Sequence, residues 1–343
     1  MLTNLYYGGT QPFYFMLFGT DSNKRASTWM GQYSLYYVPT VYWDGGYRVK
    51  IGGSGYSTDI NVCKVRAVAD VDIDLKVYWL GDGDMNIVLE AKNNGPFDYS
   101  GLLRVYVAEI LSSYGYKDSS GKLYNFPFLD FALKTSVTIP GNGTYKTSTF
   151  FDGALHNDGF GHTFNTTQKD NIIVIAALCN STPHTNYSNP PSGAPFNAYY
   201  LDDCVGTTPS VLGIDNLTLP VSGGKVTFNL DGGRDEALRN YFLLGSASGT
   251  EPGLPLPGGL VTLPLNWDAL TDMTIGLANS PALVNSHGVL DNFGDATAIL
   301  DSNGPLPPTA LGLVVDFAFL LYYPTTYFPY DYVSNSVSIE IVP

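Results

Sequence analysis

Two histidines and an aspartate, His156, Asp158 and His162, fall within seven residues of the stretch FFDGALHNDGFGHTF. Imidazole nitrogens and a carboxylate oxygen are the donor set of Zn²⁺ and related transition ions. No fourth ligand follows at a recognisable spacing, and no HExxH pattern sets the two imidazoles on one helix face. Solvated loop histidines are therefore the competing reading. His184 and His287 stand alone. A second candidate lies in GDGD, where Asp82 and Asp84 flank Gly83 in a turn. A turn can bend two carboxylates toward one Ca²⁺, an ion that takes several oxygen ligands. Asp70, Asp72 and Asp74 alternate along one strand face at a repeat of nearly ~7 Å, too far apart to share an ion without help from loops. They read as a solvated face. The stretch DGGRDE, 231–236, is read first as turn chemistry.

Catalytic machinery is harder to find. The chain has no G-x-S-x-G elbow, no P-loop and no GxGxxG after a strand. Carboxylates are plentiful, yet nothing marks two of them as a glycosidase pair. The sequence therefore assigns no catalytic residue and no cofactor beyond calcium at Asp82 and Asp84, and the chain is expected not to be an enzyme.

The cysteines are Cys63, Cys179 and Cys204. Cys179 and Cys204 flank NSTPHTNYSNPPSGAPFNAYYLDD, which reads as a long irregular loop that a disulfide would staple. Bonded and free states both remain open, and Cys63 is expected to be packed as a small apolar residue. Glycosylation sequons occur at Asn142, Asn165, Asn180, Asn186 and Asn216, most of them chance matches in a chain rich in Ser, Thr and Asn.

Tyrosine is the remaining chemical signal. There are 25 Tyr and 18 Phe against 17 Lys plus Arg. They cluster in NLYYGG, YSLYYVPTVYW, NAYYLDD and LYYPTTYFPYDY. Many must pack in cores and turns. Few charges and many tyrosines also leave an amphipathic surface, the composition of protein interface cores. Stacked aromatics bind sugars as well, so a carbohydrate-binding face is the rival.

The elements that must position these groups are mostly strands. Only 14% of the 343 residues are charged, against roughly 25% in an ordinary soluble protein. The net charge of −14 argues against nucleic-acid partners and against anionic membrane surfaces. No apolar run reaches the ~18 residues of a membrane span. The longest, ALGLVVDFAFLLYY at 310–323, contains Asp316 and is expected to form one long strand or a strand pair. Met1 is followed by no basic region and no cleavage site, so an exported chain is expected to start upstream of it.

PFYFMLF, 12–18, is an apolar run expected of a doubly buried strand. Residues 21–36 follow as a helix capped by Asp21 or Ser22, with Ala26, Trp29, Met30 and Tyr33 at helical spacing. PTVYW and YRVKIGG are expected to pair across Asp44-Gly45-Gly46. From residue 67 the period becomes two, with Val71, Ile73, Leu75 and Val77 on one face. GLLRVYVAEIL and NIIVIAALC are further strands. Residues 207–215 read as a linker. Beyond it KVTFNL, NYFLLGSAS, LVTLPLN, MTIGLA, ATAILDS, LGLVVDFAFLLYY and NSVSIEIV are read as strands.

The fold class expected is mainly β: two β-sandwich domains, immunoglobulin-like or jelly-roll-like, preceded by a small α/β unit. The expected boundaries are 1–62, 63–206 and 207–343.

Residues 12–47 resemble the second half of a thioredoxin-like domain, through PFYFMLF, the helix with Lys24, Arg25 and Ala26, and YYVPTVYWDGG. The resemblance implies a cis peptide before Pro39, between Val38 and Thr40, at the start of the strand after the helix. It also implies a Cys-x-x-Cys pair packed against that proline, which this sequence lacks before Pro39. Pro39 is therefore expected to be a structural residue of a truncated scaffold. The alternative is a thiol-disulfide oxidoreductase relative without its cysteine pair. Residues 67–180 resemble the β-sandwich of secreted bacterial Omp28-like proteins, in LEAKNNGPFDYSGLLRVYVAEI, YNFPFLDFALKTSVTIPGNGTY and DNIIVIAAL. Residues 216–343 look like a C-terminal module of large secreted bacterial proteins, in NYFLLGSASGTEPGLPLPGG, GVLDNFGDATAIL and SNSVSIEIVP. These resemblances imply an extracellular or cell-surface setting and no known reaction. The function expected is a non-catalytic structural protein that associates with itself as a homo-oligomer or polymer, through aromatic surfaces and strand edges such as MLTNLYYGG and SVSIEIV. The alternative is an adhesion module that binds a glycan or another partner.

Overall fold

The computed structural model describes residues 13–233, 236–324 and 330–343. The clusters NLYYGG and PTTYFP, the edge-strand role of residues 1–9, and the Arg234-Asp235 part of DGGRDE lie wholly or largely outside the described residues. The fold is mainly β. None of the described helices is long and apolar enough to cross a membrane. The chain divides into two compact units. One comprises residues up to Val77 together with Asp82–Pro209, and the other comprises Tyr78–Gly81 together with Ser210–Pro343.

In the first unit, helix α1 (Lys24–Gly31) leads to the hairpin of β1 (Thr40–Trp43) and β2 (Arg48–Ile51). Helix α2 (Tyr56–Lys64) follows. Strands β3 (Val71–Gly81), whose last four residues are counted with the second unit, and β4 (Asp84–Asn93) precede β5 (Tyr99–Glu109), β6 (Phe128–Ile139), β7 (Thr144–Phe151) and β8 (Ile172–Asn180). Strands β9 (His184–Asn189), β10 (Ser192–Ala198) and β11 (Leu201–Thr207) complete the unit. The larger sheet runs β11-β8-β5-β6 and the smaller β3-β4-β7.

Sequence chemistry accounts for this layout. Strand β8, IIVIAALCN, is buried over its first eight residues, because it lies inside the larger sheet and both its faces are covered. One face carries Ala177, Tyr106 and Phe128 against Ala26 of α1 and against Met16 and Phe18. On the other face of β5, Leu103, Val105 and Val107 are fully buried. In β3, Val71, Leu75 and Val77 are buried while Asp72 and Asp74 are exposed, as is Asp70 just before the strand, as a two-residue period requires.

Several local expectations are corrected. Residues 13–18 form no regular strand. They meet the sheet at one parallel bridge, Leu17 to Pro127, with Leu17 N donating to Phe126 O at 2.7 Å. Helix α1 is shorter than residues 21–36, and its N-cap is Asn23, whose Oδ1 accepts from Arg25 N at 2.8 Å and Ala26 N at 3.2 Å. Its Nδ2 donates to Phe128 O and Leu129 O at 3.1 and 2.7 Å, which is why this cap is chosen over Asp21 or Ser22. The stretch between Cys179 and Cys204 is the β9–β10 hairpin rather than an irregular loop.

In the second unit one sheet joins Leu212–Ile214, Lys225–Asp231, Asp295–Asp301 and Leu283–Val284. The other is built on Val314–Tyr322, flanked by Asn240–Ser246 and Val337–Val342. The stretch read as a linker at 207–215 thus contains a buried strand, Leu212–Ile214. Residues 310–323 supply one strand, Val314–Tyr322. MTIGLA, read as a strand, belongs largely to helix α3 (Ala269–Gly276). Asp268 and Thr271 form a capping box there, a helix-start signal that outweighs the local β preference.

Candidate functional site

Asp44 opens a short 3-10 turn between β1 and β2, and Gly45 follows with φ of 65°. A side chain at Gly45 would collide with the Tyr199 carbonyl, so glycine alone lets this turn approach the chain before β11. Just beyond α2, Arg66 N donates to Cys63 O at 3.1 Å, which turns the Arg66 side chain back toward Asp44. Its Nε and Nη2 donate to Asp44 Oδ2 and Oδ1 at 2.6 and 2.9 Å. Nη2 also donates to Leu201 O, Nη1 donates to Ala67 O at 3.2 Å, and Nη1 lies 3.8 Å from Asp202 Oδ1.

The two carboxylates have further donors. Asp44 Oδ1 accepts from Leu201 N at 2.9 Å. Asp202 accepts from Ala69 N at 3.2 Å and from Tyr99 Oη at 2.9 Å. Burial works against the Arg66 charge, but Asp44 and then Asp202 hold its pKa above the ordinary value. Burial, reinforced by Asp202, pushes the Tyr99 phenol well up.

Arg66 and Asp202 of this clasp, with Ala67 and Ala69, line an open recess of about 500 Å³. Its walls are aromatic. His184 stacks on Tyr200 with centroids 4.1 Å apart and planes 4° from parallel. Tyr47 meets Tyr200 edge-on at 5.0 Å. The Arg66 guanidinium carbon lies 5.7 Å from the Tyr47 ring and 5.5 Å from the Tyr200 ring. Burial raises the Tyr200 pKa, so its hydroxyl is neutral and both donates and accepts. Asn180 and Thr182 add further polar groups to the lining. The recess can grip a flat or ring-shaped ligand and hydrogen-bond its edge.

The histidines singled out by spacing do not converge on one ion. His156 Nδ1 lies 2.8 Å from Asp130 Oδ2, and its ring stacks on Phe151 at 4.0 Å. His162 Nδ1 lies 2.7 Å from Asp158 Oδ2, and Tyr116 Oη donates to the same oxygen at 3.0 Å. Burial raises the Asp158 pKa, but the His162, Phe160 and Tyr116 hydrogen bonds outweigh it and hold the group low. Asp158 is thus a buried anchor for its own loop. Among the described residues no three His, Cys, Asp or Glu side chains form a group fit for a metal ion.

Asp82 and Gly83 are the two turn residues between β3 and β4, with φ of 49° and 76°, the signs a two-residue primed hairpin turn needs. Asp84 Oδ1 accepts from Gly153 N at 2.8 Å, and burial, with Asp152 and Asp82 nearby, raises its pKa. Both residues have structural work of their own. The Val38–Pro39 peptide is cis, and Pro39 O accepts from Gly52 N at 2.9 Å across the hairpin end.

Cys179 and Cys204 are free thiols in the structure, one of the two states the sequence left open. The β8–β11 register sets Cys179 opposite Leu201 and Cys204 opposite Ala177. Cys204 is therefore a diagonal neighbour of Cys179 and not its directly opposed partner.

Sequence reading missed this recess. The NAYYLDD cluster marked Tyr200 and Asp202 as part of an aromatic stretch, but Arg66 in CKVRAVAD carried no signal, and His184 stood alone.

No protein-family model matches the chain, and no curated sequence does. Among solved structures the chain is similar to red sea bream transglutaminase over 85% of its length and 34% of that chain, at 14% identity and TM-score 0.21. It is similar to a β-glucosidase from Kluyveromyces marxianus over 41% of its length and 14% of that chain, at 9% identity and TM-score 0.23. A β-glucosidase from Erythrobacter marinus matches 39% of this chain and 15% of its own, at 7% identity and TM-score 0.24. The chain spans about a third or less of the length of these proteins. Likenesses this loose support neither a shared fold nor a shared function.

Proposed function

We propose that this chain is a non-catalytic extracellular or cell-surface adhesion protein whose first unit binds a carbohydrate in the Tyr47–Tyr200–His184 recess. The observation that carries this reading is the aromatic wall beside a clasp of fixed polar groups. Sugar rings present an apolar C–H face and a hydroxyl edge, and the recess offers a partner for each. The resemblances to a truncated thioredoxin-like segment, an Omp28-like β-sandwich and a C-terminal sandwich module of secreted proteins support export and the layered β architecture.

The test is electrophoresis of the native chain through gels containing neutral or acidic polysaccharides. Retardation by at least one polymer is expected. Tyr200→Ala, which removes one stacked face worth about 1 kcal/mol or more, should weaken binding roughly five- to tenfold. Unhindered migration in every polymer would refute the reading.

A second reading, self-association, is favoured by one observation. Tyr36, Tyr37 and Val38 are consecutive and 63%, 56% and 67% exposed, a concentration of apolar surface typical of contact sites. Sedimentation over a hundredfold range of concentration checks it, and a constant monomer mass would exclude it.

A further inference from the structure

Arg104 lies in the middle of β5 and is only 8% exposed. Among the described residues it has no carboxylate partner. Its single hydrogen bond there runs from Nη1 to Cys179 Sγ at 3.4 Å. Its Nε is buried without any acceptor. The guanidinium carbon lies 4.9 Å from the Trp29 ring and 5.9 Å from the Tyr199 ring. Aromatic faces attract the charge but accept nothing from the in-plane N–H groups.

The register sharpens the anomaly. Arg104 is directly opposite Lys134 on β6, and Lys134 Nζ lies 5.2 Å from the same Trp29 ring. Like charges opposite each other across a sheet are unfavourable, and a buried cation without a counter-ion is strongly disfavoured. The chain has 31 acidic residues against 17 basic ones, yet no ion pair with Arg104 forms among the described residues. Cys179 is not the missing anion, because burial pushes its thiol up to about 11 despite Arg104. With Nη1 turned to Cys179, the edge of the guanidinium left without an acceptor among the described residues is the one carrying Nε and Nη2. That edge is the fork that takes a carboxylate through two parallel hydrogen bonds.

We propose that Arg104, with Lys134 beside it, is a binding site for one carboxylate group. The carboxylate takes the Nε and Nη2 edge, Lys134 supplies the second positive charge, and Trp29 and Tyr199 shield the pair from water. The exposed Lys134 side chain swings off the indole to admit it. The ligand is a carboxylic acid, either a free small acid or the uronic-acid unit of a polymer. This site is distinct from the Tyr200 recess and does not depend on the reading given to it.

The test uses thermal unfolding and titration calorimetry of the full chain with sodium acetate, sodium D-glucuronate and polygalacturonate, each against sodium chloride at equal ionic strength. Acetate and glucuronate should raise the unfolding temperature and bind saturably. Lys134→Gln, a change at an exposed position, should weaken binding about tenfold, the loss of one charge-assisted contact. Arg104→Met should abolish binding. Should Arg104→Met fail to fold, Lys134→Gln still decides. Polygalacturonate binding that glucuronate displaces assigns the site to an acidic polymer. Small-acid binding without polymer binding assigns it to a free acid. No saturable response of the unsubstituted chain to either small carboxylate overturns the proposal. So does an unchanged response in Lys134→Gln.

Discussion

Replacing Arg66 by methionine should destabilise the first unit by about 3–5 kcal/mol, the usual cost of breaking a buried ion pair from one side. Methionine preserves most of the stem and removes the cation. Asp44 and Asp202, with side chains 10% and 4% exposed, are then left as neighbouring buried carboxylates. Both keep some donors, Leu201 N on Asp44 and Ala69 N with Tyr99 Oη on Asp202. Those bonds limit the loss and put the expected value near the lower end, about 3 kcal/mol. The assay is hydrogen exchange across residues 44–47 and 199–204, read beside urea unfolding. A loss of about 3 kcal/mol corresponds to roughly a hundredfold faster exchange at the Leu201 amide, if that amide opens with the clasp. Adding Asp44→Asn to Arg66→Met should recover about 1 kcal/mol or more, because one unpaired charge disappears. A single variant within about 0.5 kcal/mol of the parent, the range of an ordinary surface change, would refute the clasp as a stabilising element.

Asn23→Ala should cost about 2–3 kcal/mol, because one side chain caps α1 and bonds two carbonyls of β6, and thermal unfolding checks it. Burial opposes the Asp268 charge, but the amides of Thr271, Ala247 and Leu270 and the Ser248 hydroxyl hold its pKa down at about 2. Its folded pKa lies below the unfolded value of about 3.9, so its stabilisation is complete above about pH 4 and lost as pH falls toward 2. The unfolding temperature of Asp268→Asn should accordingly fall less over that interval than that of the parent. Burial pushes the thiols of Cys179 to about 11 and of Cys63 and Cys204 to about 12, so native alkylation at neutral pH should be slow at all three. Denatured, non-reduced protein should release three thiols, and a count of one would contradict the free pair.

The local patterns carried much of the fold. Alternation from Val71 to Val77, the Asp82-Gly83 turn and the unbroken apolar run of β8 each follow from short-range rules, and each element stands where those rules put it. The failures share a cause as well. Residues 13–18 are apolar enough for a strand, but pairing partners decide strands, and here only one bridge forms. MTIGLA has β-compatible residues, but a capping box at Asp268 starts a helix first.

Legibility was poorest at the sites. Residue types named His156, Asp158 and His162 as neighbours in the chain, whereas the fold pairs His156 with Asp130 and His162 with Asp158, which also accepts from Tyr116. Tyr47, Arg66, His184 and Tyr200 form one recess although 153 positions separate the first from the last. Arg104 looked like one charge in an ordinary strand. Only β-sheet register set it opposite Lys134 and beside Cys179.

By itself, then, the sequence determined a mainly β chain, its acidic charge balance, and turns such as Asp82-Gly83. Period, turn geometry and charge balance act over a few residues or as simple sums. Tertiary structure alone decided which cysteines face which neighbours, which aromatic rings stack, and which arginine lacks an anion. Those outcomes depend on register and packing between distant segments, where a shift of one residue turns every side chain to the opposite face.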